Sequence, residues 1–367
     1  MNIPYVNLAK QNTRLKKEIL AAIGKVLESG QFILGKEVTT FEHSFAKLCG
    51  TKYALGLGTG TDALILALRA LNIGPGDEVI TVANSFVSTA SCIALVGAKP
   101  VFVDVGEDYN INPPLIENAI NSRTKAILPV HLTGRPVDMG PILKIAKAHK
   151  LAVIEDCAQA VCAQYKNKYV GSFGQIGCFS LHPLKNLNAC GDGGVLTTND
   201  EDLYKKIQIL RNNGFSSRDD CDIWSANSRL DTVQAALLLV KLNYLKEWTD
   251  KRRANARFYQ EHLADLEQVK VPREKPHEKS VYHTFVIQVE MREKLIKFLE
   301  NKAIGTKIHY PIPIHLQPAA KSLGYKIGSL PVTEKQAKRI LSLPIYPELT
   351  NKELNYIVNC IRDFYKQ

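Results

Sequence analysis

Short β-branched runs that alternate with helical patterns constrain the fold of this chain more than any other feature. Val79-Ile80, Val101–Val105 and Leu151–Ile154 are strand-like, and apolar residues at helical spacing occupy 86–96 and 139–149 between them. Strands and helices that alternate in this way are typical of a mostly parallel sheet with helices on both faces. The pattern therefore predicts an α/β fold for the larger part of the chain.

The pattern changes after about residue 245. Residues 231–248 are predicted as one long amphipathic helix. Beyond it, the expected elements are strands at 283–290 and 304–310 and helices at 293–301 and 351–365. This arrangement predicts a large domain over residues 1–245, which includes an N-terminal segment, and a smaller α+β domain over residues 246–367.

Composition and charge narrow the class of protein. The chain has 367 residues, of which 45% are hydrophobic and 23% charged, as in ordinary globular proteins. The net charge of +11 is scattered rather than gathered into a basic stripe, so we expect no nucleic-acid partner. No apolar run is long enough to span a bilayer and the first residues do not resemble a leader, so we expect a cytoplasmic protein with no membrane partner. The eight cysteines include no C-x-x-C pair, and we expect reduced thiols and no metal site.

A glycine-rich loop, Gly56–Asp62, is the first candidate site. Its backbone amides and the N-terminus of the helix that follows suit an anion such as phosphate. The loop is equally well explained as a turn in which Thr61 or Asp62 caps the helix. It is not a dinucleotide fingerprint, because Thr61 replaces the third glycine of G-x-G-x-x-G.

An acid and a lysine follow other strand-like runs. Asp156 comes just after Leu151–Ile154, where ligands of open parallel sheets collect. It could act as a base, a metal ligand or the partner of a protonated ring nitrogen, with a salt-bridged or capping acid as the alternative. Lys185 lies between a strand-like segment and Gly191–Gly194, where a partly desolvated amine could form a Schiff base, although most loop lysines are simply solvated. His182 is interpreted on these grounds as a structural residue of the turn.

These features together fit pyridoxal phosphate, which needs an anchor for its phosphate, an acid for its pyridinium nitrogen and a lysine for its aldehyde. The chain resembles the DegT/DnrJ/EryC1/StrS family of sugar aminotransferases. The matching segments, in family order, are Gly30–Gly35, Gly60–Leu64, Gly74–Ile80, Pro129–Leu132, Ile154–Gln159, Ser180–Leu187, Gly191–Gly194, Asn227–Asp231 and His309–Pro311. The resemblance implies a fold type I transferase, the fold of aspartate aminotransferase, with a cofactor-binding large domain and a smaller C-terminal domain.

The resemblance also implies roles for individual residues. Lys185 would form the aldimine with pyridoxal 5′-phosphate and move the protons, and Asp156 would pair with the pyridinium nitrogen. The other residues expected at the cofactor are Gly60, Thr61 and Ser180 at the phosphate, Phe86 stacked on the ring, Gln159 beside the ring, and Asn227, which would reach the cofactor phosphate of the neighbouring subunit. Those expected at the sugar nucleotide are His182, His309, Tyr310 and His315. The implied assembly is a homodimer with shared active sites.

The implied reaction is a two-step transamination. L-Glutamate leaves its amino group on the cofactor and departs as 2-oxoglutarate, and a keto sugar linked to a nucleoside diphosphate then receives the group. Residues 61–64 and 308–317 look most like members that act at C3 of dTDP-3-keto-6-deoxyhexoses. Members that use UDP-linked 3-keto sugars or that aminate C4 share most of the motifs and remain alternatives. Cys157 departs from the alanine of many relatives, and the residues around Lys185 vary among them, so the substrate cannot be copied from one member.

Two other classes of protein remain to be weighed. A nicotinamide-dependent sugar oxidoreductase would explain the glycine-rich loop but leaves Lys185 and residues 227–229 without a role. A pyridoxal-phosphate-binding regulator without turnover would use Lys185 and Asp156 as an enzyme does. Turnover of an amino donor distinguishes this regulator from an aminotransferase.

Overall fold

The computed structural model describes residues 1–366. Its strands, in chain order, are β1 (Tyr53–Leu57), β2 (Glu78–Val82), β3 (Lys99–Val103), β4 (Thr124–Ile127), β5 (Ala152–Asp156), β6 (Gln164–Tyr165), β7 (Lys168–Tyr169), β8 (Ile176–Ser180), β9 (Gly194–Thr198), β10 (Val269–Lys270), β11 (Glu278–Lys279), β12 (Phe285–Val289) and β13 (Ile340–Leu343). Its α-helices are α1 (Leu8–Ser29), α2 (Lys36–Cys49), α3 (Gly60–Ala70), α4 (Ser88–Leu95), α5 (Pro113–Ala119), α6 (Met139–His149), α7 (Glu201–Leu210), α8 (Thr232–Leu242), α9 (Leu245–Leu263), α10 (Arg292–Asn301), α11 (Pro331–Ala337) and α12 (Asn351–Lys366).

A seven-stranded sheet forms the centre of the molecule, in the order β1-β9-β8-β5-β4-β2-β3. The pairs from β8 through β5, β4 and β2 to β3 are parallel, while β9 runs antiparallel to both of its neighbours. The predicted α/β fold with a mostly parallel sheet is confirmed. The carboxyl ends of all the strands of this sheet except β9 therefore lie along one edge.

Burial explains why the strands are rich in β-branched residues. All five residues of β2 are buried, as expected for a parallel strand covered by helices on both faces. The helices of the large core, such as α3, bring residues like Leu64 and Leu68 onto the sheet, where both are buried. A second core forms where α1, α2 and α8 pack together.

The C-terminal part of the chain has a separate core around the antiparallel sheet β10-β12-β13. Helices α9, α10 and α12 pack on it, and Ile3 from the N-terminal segment is buried in the same core. Helix α9 contributes to both regions, because Trp248 packs with the large part while Tyr259 packs with the C-terminal core. The domain boundary at 245/246 stays a prediction.

The prediction of a single helix over residues 231–248 is wrong. Helix α8 ends at Leu242 and α9 begins at Leu245, with a break between them. Leu237 and Leu245 belong to the same core, so the apolar spacing continues through the break. A periodic pattern cannot reveal a break that leaves both segments facing the same core.

The strand predicted over residues 304–310 is also absent from the structure. Ile304 makes a single bridge to Ile3, and Lys307 makes another to Ser342. A Cβ on Gly305 would lie 2.7 Å from the backbone nitrogen of Tyr5, so the chain passes too close to the N-terminal segment to accept a larger residue. The segment divides its backbone pairing between two partners, which prevents a continuous ladder.

Two global features complete the description. All eight cysteines are free thiols, and five of them are buried. No helix within residues 1–366 has both the length and the apolar character that crossing a membrane requires.

Candidate active site

Most of the candidate site residues lie at or just beyond the carboxyl ends of five strands. Gly60 and Thr61 follow β1, and Phe86 follows β2. Asp156 ends β5 with residues 157–159 after it, and Ser180 ends β8 with residues 181–185 after it. The loop after β4, residues 130–134, lies at the same edge. The topology therefore brings these residues together at one edge of the sheet, which is the edge where ligands of open parallel sheets bind.

The N-terminus of α3 forms an anion cradle. Thr59 caps the helix by accepting a hydrogen bond from the backbone N–H of Asp62 at 2.9 Å, so the expectation that Thr61 or Asp62 is the cap is wrong. A Cβ on Gly60 would lie 2.7 Å from the Cβ of Ser180, which explains why a glycine is needed there. The Thr61 hydroxyl lies 2.8 Å from that of Ser88. Hydroxyl groups and helix N–H groups thus meet at one place, a donor set suited to a phosphate.

Asp156 is the last residue of β5 and is buried. Its Oδ2 accepts a hydrogen bond from the Thr89 hydroxyl at 2.7 Å, and its Oδ1 accepts one from the backbone N–H of Ala158 at 3.1 Å. Burial raises the pKa of Asp156 above its ordinary value, although these hydrogen bonds and the nearby Lys185 act in the opposite direction. A cationic group beside the carboxylate would relieve the cost of its burial.

Glu155, the neighbouring acid, has a different environment. Its two oxygens accept the backbone N–H groups of Gly171, Phe173 and Gly174 and contact Nε2 of His131 at 3.0 Å. His131 Nδ1 in turn accepts the N–H of Val137, so its Nε2 carries the proton donated to Glu155. His131, Glu155 and Cys157 lie close enough to hold a metal ion, but this bonding already occupies the histidine and the carboxylate. We interpret the cluster as structural.

Lys185 is partly exposed in the loop between β8 and β9, where its backbone N–H donates to the His182 carbonyl at 2.8 Å. Desolvation lowers the pKa of Lys185 to about 8, while the charge of Asp156 acts in the opposite direction. The amine is therefore neutral in a substantial fraction of molecules near pH 8, and a neutral amine is the form that attacks an aldehyde.

Gln159 connects the large part of the site to the C-terminal part. Its Oε1 accepts the backbone N–H of Thr133 at 2.7 Å, and its Nε2 donates to the Tyr310 hydroxyl at 3.2 Å. Phe86 is 53% exposed, and the centre of its ring lies 6.0 Å from that of Tyr310. An aromatic face is thus available at the cleft beside these polar groups.

The four residues predicted to meet the sugar nucleotide are not equivalent. His309 Nδ1 lies 2.8 Å from the Ser342 hydroxyl, and burial, aided by nearby Lys185 and Lys307, lowers its pKa to about 4. His182 is exposed and its Nδ1 accepts the N–H of Leu184 at 3.2 Å. His315, by contrast, is buried with its Nε2 3.1 Å from Glu334, so its ring is closed off from solvent. Tyr310 and His309 therefore lie at the cleft, whereas His315 is buried against Glu334.

Asn227 lies on an exposed loop between α7 and α8. Its backbone bridges to Asn212, and the hydroxyl of the next residue, Ser228, accepts the N–H of Gly58 at 3.2 Å. The loop therefore lies against the glycine-rich turn of the anion cradle. The reach of the Asn227 side chain toward a second subunit stays a prediction.

Several residues of this region were missed by the sequence reasoning. Ser88 and Thr89 follow β2, and applying the strand-end rule to that strand as well would have found them. His283 has no comparable signal, because it comes from the C-terminal part of the chain. Burial and the charge of Lys185 lower its pKa well below the ordinary value.

Pyridoxal phosphate fits the donor set described above. The α3 N-terminus and its hydroxyls suit the phosphate, buried Asp156 lacks a cationic hydrogen-bond partner that a protonated ring nitrogen would supply, and Lys185 is a desolvated amine. No other cofactor considered from the sequence uses all three groups. The residues present are therefore compatible with the group that the sequence analysis expects.

Comparisons with known proteins identify the family to which the chain belongs. The family model described as the DegT/DnrJ/EryC1/StrS aminotransferase family matches residues 13–362. A UDP-N-acetyl-3-dehydro-α-D-glucosamine 3-aminotransferase of Acidithiobacillus ferrooxidans is 45% identical, with 98% of this chain and 97% of that protein covered. A dTDP-3-amino-3,6-dideoxy-α-D-galactopyranose transaminase of Aneurinibacillus thermoaerophilus is 43% identical, with 99% of each chain covered.

A solved structure is similar over the whole fold. The crystal structure of Streptomyces venezuelae DesV in complex with a ketimine intermediate superposes with a TM-score of 0.98 at 39% identity, and the match covers 100% of this chain and 99% of that one. The likeness extends across both the central sheet and the C-terminal part, so no segment of the described chain lies outside the shared fold.

Proposed function

We propose that this enzyme carries amino groups from L-glutamate to C3 of a dTDP-3-keto-6-deoxyhexose. The chain belongs to the DegT/DnrJ/EryC1/StrS aminotransferase family and is a pyridoxal-phosphate-dependent aminotransferase of nucleotide sugars. The observation that carries the chemical assignment is that a desolvated amine, Lys185, and a buried acid, Asp156, lie at or after the ends of neighbouring strands at the same sheet edge as the α3 N-terminus and interact electrostatically.

The residues divide the chemical work between them. Bound pyridoxal phosphate supplies an aldehyde that accepts an amine and a protonated ring that withdraws electrons from the substrate. Asp156 would keep the ring nitrogen protonated, because a buried carboxylate beside that nitrogen stabilises its positive charge. Lys185 moves the proton at the reacting carbon, since desolvation leaves its amine able to accept a proton near pH 8. Gly60, Thr61 and Ser180 would hold the phosphate.

Residues of the C-terminal part complete the substrate side. His309 is neutral at physiological pH and Tyr310 is held by Gln159, so both can make uncharged hydrogen bonds to sugar hydroxyls. His182 is exposed at the same loop as Lys185. We do not assign a direct sugar contact to His315, because its ring is buried against Glu334.

The nucleotide and the carbon that is aminated are the finer part of the proposal. The relative from Aneurinibacillus thermoaerophilus is named for a dTDP-linked 3-amino sugar and supports the dTDP assignment. The relative from Acidithiobacillus ferrooxidans is named for a UDP-linked 3-keto sugar and favours that alternative. Both names place the amino group at C3, which supports C3 over C4.

A homodimer with shared sites is part of the same proposal. Large apolar side chains are exposed at several places in the N-terminal two thirds of the chain: Phe32, Ile33, Leu34, Phe86, Val87, Leu184, Ile223 and Trp224. Trp224 is 89% exposed, although Arg69 holds its backbone carbonyl. Such side chains are typical of surfaces that a partner covers. We propose that a second copy covers these side chains, that its Asn227 reaches the anion cradle, and that the assembled enzyme is cytoplasmic.

The test is a panel of keto sugars offered to the enzyme after glutamate has converted its cofactor. The panel contains dTDP-linked 3-keto and 4-keto deoxyhexoses and a UDP-linked 3-keto sugar. We expect the dTDP-linked 3-keto sugar to restore the yellow cofactor absorbance fastest. Faster return with the UDP-linked sugar, or with a 4-keto sugar, would replace the proposed substrate by that one, and no return with any sugar would contradict the whole assignment.

A further inference from the structure

A buried lysine lies behind the loop that carries Lys185. Lys241, on α8, has no solvent-exposed surface. Within residues 1–366 it forms no ion pair with an acid. The Cys190 thiol is the ionisable group that influences its pKa electrostatically. Burial of an ammonium group without a counter-charge costs free energy and lowers the pKa of Lys241. Such a residue needs an explanation beyond packing, because an apolar side chain would fill the space at lower cost.

Asn188 is the group that Lys241 contacts. The Lys241 ammonium donates to the Asn188 backbone carbonyl at 3.0 Å and to the oxygen of its side-chain amide. The Asn188 Nδ2 donates to the backbone carbonyl of Lys185 and to Oε1 of buried Gln11, each at 3.1 Å. Every hydrogen-bonding group of this amide is therefore used.

The chemistry of Lys241 determines which way the amide points. An ammonium group can donate hydrogen bonds but cannot accept them, so only the oxygen of the Asn188 amide can face it. The nitrogen must then point to the opposite side, where the Lys185 carbonyl lies. A neutral apolar residue at position 241 would remove this constraint, and the amide could rotate away from Lys185.

Helix α8 also contacts the far end of the same loop. The side-chain oxygen of Gln234 accepts the backbone N–H of Cys190 at 2.9 Å. On the other side, the Asn186 Nδ2 donates to the carbonyl of Val281 at 3.1 Å. The loop from Lys185 to Cys190 is thus held on both flanks, and Asn188 is its central attachment.

We propose that Lys241 is a positioning residue, which acts through Asn188 to hold the backbone of Lys185 so that its amine stays inside the cleft. This inference rests on the proposed role of Lys185. The charged and titratable groups that face Lys185 are Asp156 from β5 and His283 and His309 from the C-terminal part. Lys241 is not among them, so its effect on the amine is exerted through the position of the loop and not through its charge.

The experiment measures how fast cofactor-free protein takes up pyridoxal phosphate as a function of pH, followed by the absorbance of the lysine-bound cofactor. Uptake requires the neutral amine, so we expect the rate for the natural protein to rise with pH with a midpoint near 8, the pKa of Lys185. In Lys241→Met the loop loosens, Lys185 becomes more hydrated, and we expect the midpoint to move upward by about one pH unit toward the ordinary lysine value of about 10.4. Lys246→Met is the matched control, because Lys246 is exposed on α9 and pairs only with Asp250; its midpoint should equal that of the natural protein.

A second variant tests the inference if the Lys241→Met protein does not fold. Gln11→Leu removes the other partner of the Asn188 Nδ2 without changing any charge, and we expect a smaller upward shift of the midpoint. A folded Lys241→Met protein with an unchanged midpoint would overturn the inference, as would an unchanged midpoint in Gln11→Leu if Lys241→Met fails to fold. Lys185→Ala separates this failure from that of the proposed function: if it still takes up the cofactor with the same pH profile, the role of Lys185 itself is wrong.

Discussion

At the scale of single residues, two adjacent acids at the end of β5 show how environment decides between chemistry and structure. Asp156 has two hydrogen-bond partners and an electrostatic interaction with Lys185, whereas Glu155 accepts four hydrogen bonds deep in the fold. The alternating directions of side chains along a strand send the two carboxylates to opposite faces. A carboxylate thus holds the loop at 171–174 at one position, while the next carboxylate is the one we propose for the cofactor.

Exchanging each acid for its amide tests this division. Asp156→Asn should lower transamination by at least two orders of magnitude with little change in melting temperature, because the ring nitrogen loses its charged partner. Glu155→Gln should chiefly lower stability, by roughly 1–3 kcal/mol, since its amide nitrogen cannot accept the N–H groups that the carboxylate accepts. Initial rates and thermal unfolding of both variants are the measurements. Equal effects of the two substitutions on rate would refute the division.

The pKa of Lys185 predicts a pH dependence of stability in the cofactor-free protein. The folded-state pKa is about 8, below the ordinary lysine value of about 10.4, so the unfolded chain binds more protons between these two values. The contribution of Lys185 to stability therefore rises as pH increases from 8 to about 10. Denaturant unfolding of the natural protein and of Lys185→Met should show a difference that moves in favour of the natural protein over this window. A pH-independent difference would mean that the amine is not desolvated.

At the scale of elements, the alternation of strands and helices was enough to predict the sheet and the edge at which the site lies. Helix α6 was predicted over the residues it occupies, because its apolar period is bounded by a strand on each side. The break between α8 and α9 could not be predicted, since both helices face one core. His283 and Ser342 were beyond sequence reasoning for a different reason: they reach the site from the C-terminal part through packing that no local pattern encodes.

The close contact between α3 and β8 makes a prediction at the same scale. Gly60→Ala places a Cβ 2.7 Å from that of Ser180, so α3 must shift away from the end of β8 and the anion cradle widens. We expect affinity for pyridoxal phosphate to fall by about tenfold or more, because two sides of the cradle separate. Gly24→Ala on α1 is the control: nothing lies within 4 Å of its added Cβ, and it should leave affinity unchanged while raising stability by about 0.5–1 kcal/mol. Titration of cofactor-free protein measures both affinities, and equal affinities would contradict the account.

At the scale of the whole molecule, the proposal that two copies share their sites can be tested by mixing inactive variants. Lys185→Ala lacks the amine, and Asn227→Ala lacks the side chain proposed to reach the partner's cofactor. In a mixed dimer one site carries both defects and the other carries neither, so activity should return on mixing to as much as about a quarter of that of the natural protein, if subunits exchange at random. Size-exclusion chromatography should show a dimer. No recovery despite proven subunit exchange would mean that each site is built from one chain.

The central claim is that Lys185 and Asp156 form the reactive centre of an enzyme that takes amino groups from glutamate. The most direct test is the ultraviolet–visible spectrum of the purified protein, loaded with pyridoxal phosphate, before and after addition of L-glutamate. The account predicts a yellow absorbance that requires Lys185 and that fades when glutamate is added, with 2-oxoglutarate released in equal amount. A protein that stays colourless with pyridoxal phosphate, or a yellow one whose absorbance glutamate does not change, would contradict it.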